Sequence, residues 1–238
     1  MNGAQTVSRL GGVFAVLRRN LRVWRRFFWA STAADLAGPM LCLAAIGYGL
    51  GELLGEVDGM SYMRFLAPGM VVLACMFAAS VEGTHGAYTR LKPQGLFDGI
   101  LATPIDPAEL VLAEILFAAI KALVAGCAVL GVVAVLGLTD SLAVLAVPLL
   151  CALCGVLFGG LALLVSALSP SHALFGYYFT WMQTMAWLNP LTHAASAAQA
   201  LFAGRLDLNL LMNVTWLVVA ATLPFWPAVY LFKRRLIK

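Results

Sequence analysis

Residues 116–168 read LFAAIKALVAGCAVLGVVAVLGL (116–138), TDS (139–141) and LAVLAVPLLCALCGVLFGGLALLVSAL (142–168). The first run carries one charge, Lys121, and the second carries none. About 20 predominantly apolar residues suffice for a helix to cross the hydrocarbon core of a bilayer. Both runs reach that length, and the turn Thr139-Asp140-Ser141 between them makes them adjacent, antiparallel spans. The rest of the chain has the same character. Of its 238 residues, 62% are hydrophobic and 11% charged, and mean hydropathy is +0.92. A soluble domain carries about 25% charged residues. Such a chain has no soluble surface to present, which excludes a water-soluble enzyme, a nucleic-acid-binding domain and a disordered segment. The fold class is all-α, a polytopic membrane protein in a single domain over 1–238.

Outward from that hairpin, further spans are expected at 31–51, 65–84 and 210–232. The stretch 173–188 is apolar but only about 16 residues long, some 24 Å as a helix, and Asn189-Pro190 stops it. Residues 194–204 have Ala194, Ala197, Leu201 and Phe202 at helical spacing, the pattern of a short amphipathic helix lying at a surface.

The basic residues decide how many crossings there are. With six, and both termini cytoplasmic, six Lys/Arg lie in the N-terminal tail, two in the 85–115 loop and four in the C-terminal tail. Only Arg64 and Arg205 then fall outside, and Lys121 lies within a span. Twelve inside against two outside obeys the positive-inside rule. With five crossings the C-terminal cluster would move outside and the bias would shrink, so 173–188 is expected to make the sixth. The same distribution accounts for the net charge of +4 without a nucleic-acid partner. The first 26 residues are too long and too basic for a cleaved signal peptide. They read as a cytoplasmic amphipathic helix over 1–28, with Leu10, Val13, Phe14, Leu17, Leu21, Trp24 and Phe28 on its apolar side and arginines between them. Such a helix lies in the membrane interface or simply anchors topology.

The 85–115 loop is the most informative stretch. Leu96, Phe97, Ile100 and Leu101 would form one apolar face of a short helix ahead of Pro104 and Pro107. An apolar face outside the bilayer needs a cover, either the membrane or another protein. Cys151-x-x-Cys154 lies among Leu, Ala, Gly and Val, with none of the polar partners that redox or zinc chemistry needs, and reads as helix packing. Gly155-x-x-x-Gly159 marks a close helix–helix approach, within the subunit rather than at a dimer seam.

Arg90, Phe97-Asp98 and Leu101-Ala-Thr-Pro-Ile-Asp-Pro-Ala-Glu109 together resemble the coupling segment of permease subunits of ABC exporters of the second class. Within that class the chain is most similar to permeases that export lipo-oligosaccharide nodulation factors. Phe65-Leu-Ala-Pro-Gly69, Tyr177-Tyr-Phe-Thr180, Pro190-Leu-Thr-His193 and Ala200-Leu-Phe-Ala-Gly-Arg205 extend the likeness over nearly the whole sequence. The resemblance implies a bacterial inner-membrane half-transporter, paired as a homodimer and driven by two ABC ATPase subunits. The ATPases would dock on the cytoplasmic loop and the N-terminal helix, with Arg90, Lys92, Phe97, Asp98, Leu101, Thr103 and Pro104 as the coupling residues. No G-x-x-x-x-G-K-[ST] occurs in the sequence, so a separate chain is expected to hold the ATP and no cofactor is called for. In one respect the sequence departs from the family. Thr180 abuts Trp181 where roughly 20 residues of helix and outer re-entrant hairpin are expected, about one span's length, so the fifth helix and outer region read as shortened.

Ionisable residues inside spans are costly and therefore functional candidates. Asp35, Glu82, His85 and Lys121 qualify as a substrate path. Each has a structural reading as well. Lys121 can snorkel to the interface. Glu82 and His85, three apart, can pair with each other. Asp35 can cap the first span or pair with an arginine. The leading expectation is export of an amphiphile, a lipo-oligosaccharide, with drug efflux as the alternative. An intramembrane enzyme using Glu82 and His85 is the remote one, since no third orienting group is evident.

Overall fold

A computed structural model describes residues 3–49, 56–57, 60–139, 141–169, 175 and 190–236. Helix α1 (Gly3–Arg26) is followed after a break at Phe27 by α2 (Phe28–Gly49). Two short antiparallel strands, β1 (Glu56–Val57) and β2 (Met60–Ser61), lead into α3 (Tyr62–Val81). A π-helical turn, Glu82–Gly86, joins α3 to α4 (Ala87–Leu91). Then come α5 (Leu96–Leu101), α6 (Pro107–Val135), a 3₁₀ turn (Leu142–Ala146) and α7 (Val147–Leu168). The chain closes with α8 (Pro190–Phe202), α9 (Leu208–Thr222) and α10 (Phe225–Leu236).

Among the described residues five stretches are long and apolar enough to cross a membrane: Phe28–Gly47, Tyr62–Leu91, Pro107–Val135, Leu142–Leu168 and Leu208–Arg234. The expected crossing over 173–188 lies outside the described residues except for Phe175, as do Tyr177, Tyr178, Thr180 and Trp181. Two boundaries move by more than about a turn and a half. The second span runs on to Leu91, because its helix continues through the π turn rather than ending near Glu82. The third begins at Pro107, about nine residues earlier than the apolar run alone suggests. A capping box starts it there. Asp106 Oδ1 accepts from the Ala108 amide at 2.8 Å, and Glu109 Oε2 accepts from the Asp106 amide at 2.8 Å. Pro107 occupies the first helical position, where its missing N–H is not needed. The last span is interrupted between Thr222 and Phe225, at Pro224.

The bundle is held by small residues at its crossings. A Cβ on Gly155 would stand 2.6 Å from Ala119 Cα of α6, and one on Gly159 would stand 2.6 Å from Ala118 Cβ. The G-x-x-x-G of α7 thus packs within the subunit, as expected. Gly83 of the π turn comes as close, with its added Cβ 2.8 Å from the Gly159 carbonyl. Gly155→Leu must force α6 and α7 apart. The expected cost is about 1–3 kcal/mol, seen as a lowered thermal midpoint in detergent, with Gly155→Ala milder. Cys151 and Cys154 are buried free thiols in the same core, beside Cys75.

Three amphipathic faces have covers other than those the sequence suggested. On α1, Val13, Val16 and Asn20 are buried while Phe14 is 66% exposed. The protein-facing stripe lies along α6, where Gly12 sits against the Glu109 carboxylate and Trp24 meets Phe117 edge-on at 6.1 Å. α8 does not lie on a surface: Ala194, Ala197, Ala198 and Leu201 are buried in the main core. The face of α5 turns inward as well, onto α10.

Candidate functional site

The π turn places Glu82 where the second and third spans meet. Ala87 N–H bonds back to the Glu82 carbonyl, five residues away, which adds a residue to the turn and redirects α4. Gly86 leaves room for the Glu82 carboxylate, which a Cβ there would strike. Four residues on, Arg90 points back along the helix into the same space.

The resulting cluster alternates in sign. Arg90 Nη2 donates to Glu82 Oε1 at 2.7 Å and also to Glu114 Oε2 of α6. Lys121 Nζ, two turns further along α6, donates to Glu82 Oε2 at 3.1 Å. Glu114 Oε1 accepts from Asn20 Nδ2 of α1 at 2.9 Å, and Asn20 Oδ1 accepts from Arg19 Nη1 at 3.0 Å. Asp35 of α2 lies within electrostatic range of Lys121 and Glu82. Glu82, Glu114 and Lys121 are each under 9% exposed, a degree of burial that ionised groups tolerate only when paired. Formal charges balance over three acids and three bases, and the bonded members tie α1, α3–α4 and α6 together. Arg90 also stacks over the Phe117 ring, its guanidinium carbon 5.8 Å from the centroid. At the rim, burial lowers the pKa of Arg19 from its ordinary value; the like charge of Arg90 adds to this and Glu114 opposes it.

Of the expected substrate path, Glu82 and Lys121 are paired within the cluster, Asp35 lies within its electrostatic range and His85 stands apart. Lys121 is paired with Glu82 rather than snorkelling to an interface. Glu82 turns to Arg90 and Lys121 and not to His85. His85 is exposed, its Nδ1 3.1 Å from Thr84 Oγ1 and its ring edge-on to Phe175 at 4.9 Å. The acid–base pair of the enzyme reading does not form. Among the described residues no group of three His, Cys, Asp or Glu side chains could hold a metal. Glu114 and Asn20 were not among the candidate path residues. Glu114 could have been, because it precedes Lys121 by seven residues on the same helix face.

The residues expected to couple divide by depth. Arg90 belongs to the cluster. Phe97 is completely buried, its ring 5.9 Å from Phe232 of α10, and Leu101 is half-buried beside it. Phe97 and Leu101 thus have a cover inside the subunit, and neither the membrane nor another protein is needed to bury them. Gly95 supplies the left-handed conformation, φ +55°, that turns the chain into α5. Lys92, Asp98, Thr103 and Pro104 are exposed. They form the outer surface of a short segment whose inner side is fixed to the bundle.

Residues 12–180 match the family model described as ABC-2 type transporter. The chain is 35% identical over 246 residues to nodulation protein J of Bradyrhizobium diazoefficiens, covering 94% of each. It is 33% identical to nodulation protein J of Sinorhizobium fredii, covering 94% of this chain and 93% of that one. Nodulation protein J of Rhizobium leguminosarum bv. trifolii is 33% identical over 263 positions that take in the whole of both chains. No solved structure matches.

Proposed function

Because this chain belongs to the ABC-2 type transporter family and is an exporter permease related to nodulation protein J, we propose that it is the membrane-spanning subunit of an ATP-driven exporter of a lipo-oligosaccharide. It forms one domain of six crossings in the bacterial inner membrane, both termini cytoplasmic, and works as a homodimer with a separate ABC ATPase beneath each copy. The observation that carries this reading is the two-sided coupling segment. Lys92, Asp98, Thr103 and Pro104 offer an exposed contact surface. Directly behind it, Phe97 is anchored to α10 and Arg90 to the ion-pair cluster. A push on the outer side therefore reaches four helices through contacts that are already made.

The cluster suits that task. Arg90 makes both carboxylate contacts through the single nitrogen Nη2, and its Nε has no partner among the described residues. A guanidinium held at one nitrogen can pivot between Glu82 and Glu114, whereas a bidentate pair would lock. The π turn next to it gives the helix a place to change register. ATP-driven closure would then shift an equilibrium between inward-open and outward-open packings of the spans.

The comparison with the Rhizobium leguminosarum relative fits a shortening of about one span in length. Of 263 aligned positions this chain supplies 238, so about 25 positions of the relative have no counterpart here. The family match also ends at Thr180, where the junction is expected.

Co-expression with the cognate ATPase and affinity capture in detergent tests the docking surface. Asp98→Arg combined with Thr103→Arg is expected to cut capture at least about tenfold, since a like-for-unlike charge at an interface costs more than about 1.4 kcal/mol. Both residues are exposed, so the thermal midpoint should hardly move. Undiminished capture by the double variant would remove the docking assignment. Cargo is tested separately, by stimulation of ATP hydrolysis with lipo-oligosaccharides against a panel of hydrophobic drugs. Stimulation by the drugs alone would replace the cargo and leave the permease reading in place.

A further inference from the structure

We propose that a cavity at the end of the bundle opposite the ion-pair cluster binds the anionic headgroup of an amphiphile. The cavity has a volume of about 620 Å³, within the range of small-molecule sites. Arg64 and Arg205 both line it, with Phe65, Phe202, Gln199 and Ser141. Arg64 stands in the first turn of α3, 18 residues before Glu82, or roughly 27 Å along the helix. Sequence places Arg64 and Arg205 141 residues apart. The fold brings them to one cavity.

The Arg64 side chain and the Arg205 backbone are held at the cavity before any ligand arrives. Arg64 Nη2 donates to the Gly137 carbonyl at 3.3 Å. Arg205 follows a complete Schellman stop at the end of α8. The Arg205 amide donates to the Ala200 carbonyl at 2.8 Å, and the Gly204 amide to the Leu201 carbonyl at 3.1 Å. Gly204 takes the left-handed conformation this needs, φ +67°, and a Cβ there would stand 2.9 Å from Ser141 Oγ. The backbone that carries Arg205 is thus fixed against the 3₁₀ turn, while its side chain is exposed at the cavity.

The lining selects the ligand class. Guanidinium groups recognise phosphate or sulfate oxygens through charge-assisted hydrogen bonds. Gln199 and Ser141 add neutral donors suited to hydroxyls. Phe65 and Phe202 supply apolar and ring surface beside them, which a small hydrated anion has no use for. Anion, hydroxyls and apolar surface together describe a lipid-like headgroup with the start of its chain. This site is independent of the ATPase-docking reading and needs only that the chain spans a membrane.

The test is binding to the purified full-length protein in neutral detergent, followed by native mass spectrometry and tryptophan fluorescence. The probes are dihexanoyl phosphatidylglycerol, dihexanoyl phosphatidylcholine and inorganic phosphate. Phosphatidylglycerol is expected to bind at least about tenfold more tightly than either of the others. Arg205→Gln should cost about tenfold or more in that affinity, the loss of one charge-assisted hydrogen bond, and Arg205→Lys less. Lys233→Gln, an exposed cation at the other end, should cost nothing. Equal affinity for phosphatidylcholine, inorganic phosphate binding as tightly as the lipid, or an Arg205→Gln protein that binds like the parent would each overturn the proposal. Phe202→Ala supplies a second arm. It is expected to lower lipid affinity with little effect on inorganic phosphate, and equal losses for both would overturn the amphiphile assignment.

Discussion

Arg90→Met is expected to destabilise the protein by about 3–5 kcal/mol, the cost of breaking a buried ion pair by removing one partner. Arg90 is the central cation of the cluster, bonded to both Glu82 and Glu114. Without it two buried carboxylates face one another with Lys121 near only the first. The thermal midpoint in detergent should fall sharply, and the fraction of monodisperse protein with it. Removing the stranded charges should reverse most of that loss, because a buried network replaced by neutral groups of similar size is often no less stable. The Arg90→Met, Glu82→Gln, Glu114→Gln triple variant is therefore expected to recover much of the midpoint. It should not recover export if the pivoting guanidinium carries the motion. Arg90→Lys keeps the charge on a compact ammonium and should fall between the two. An Arg90→Met protein with the parent's midpoint would show that the cluster contributes nothing to holding the helices together.

The cluster also shows why hydropathy alone places the second span too short. Glu82, His85 and Arg90 read as the start of a polar loop, since a window average counts their cost in lipid. It cannot count the partners of Glu82 and Arg90, which come from α6 at sequence distances of 39 and 24 residues. The start of α6 was different. Its signal is local, Asp106-Pro107-Ala108-Glu109, and stood in the sequence as a capping box. The apolar run masked it, because the run begins only after Glu114. Periodicity found real faces on α1, α5 and α8, but a period gives a face and says nothing of what covers it. On α8 the cover is the bundle core and on α5 it is α10. On α1 it is α6, which also rotates the buried stripe toward Val16 and Asn20 and leaves Phe14 outside. The π turn has no local signature. At Gly83 it packs closely on the Gly159 carbonyl, 76 positions away in sequence.

Phe97→Ala should be the second large effect, and a structural one. The ring is completely buried against Phe232, and truncating a buried phenylalanine costs about 3–5 kcal/mol. The loss falls on the attachment of α5 to α10, so protease cleavage between Lys92 and Asp106 should accelerate before the whole protein unfolds. Phe97→Leu should keep much of the packing and slow that cleavage again. Phe232→Ala should give the same phenotype from the other side. The double variant should lose less than the sum of the singles, by about 0.5–1.5 kcal/mol, the worth of an aromatic pair beyond its buried area. Export separates this from docking. Asp98→Arg leaves the segment attached and would remove the proposed ATPase contact, whereas Phe97→Ala would leave that contact and removes the attachment. If the segment only docks the ATPase, Phe97→Ala protein that still captures the ATPase should still export. If it transmits force through α10 and the ion-pair cluster, that protein should bind the ATPase and permit ATP hydrolysis while export is lost.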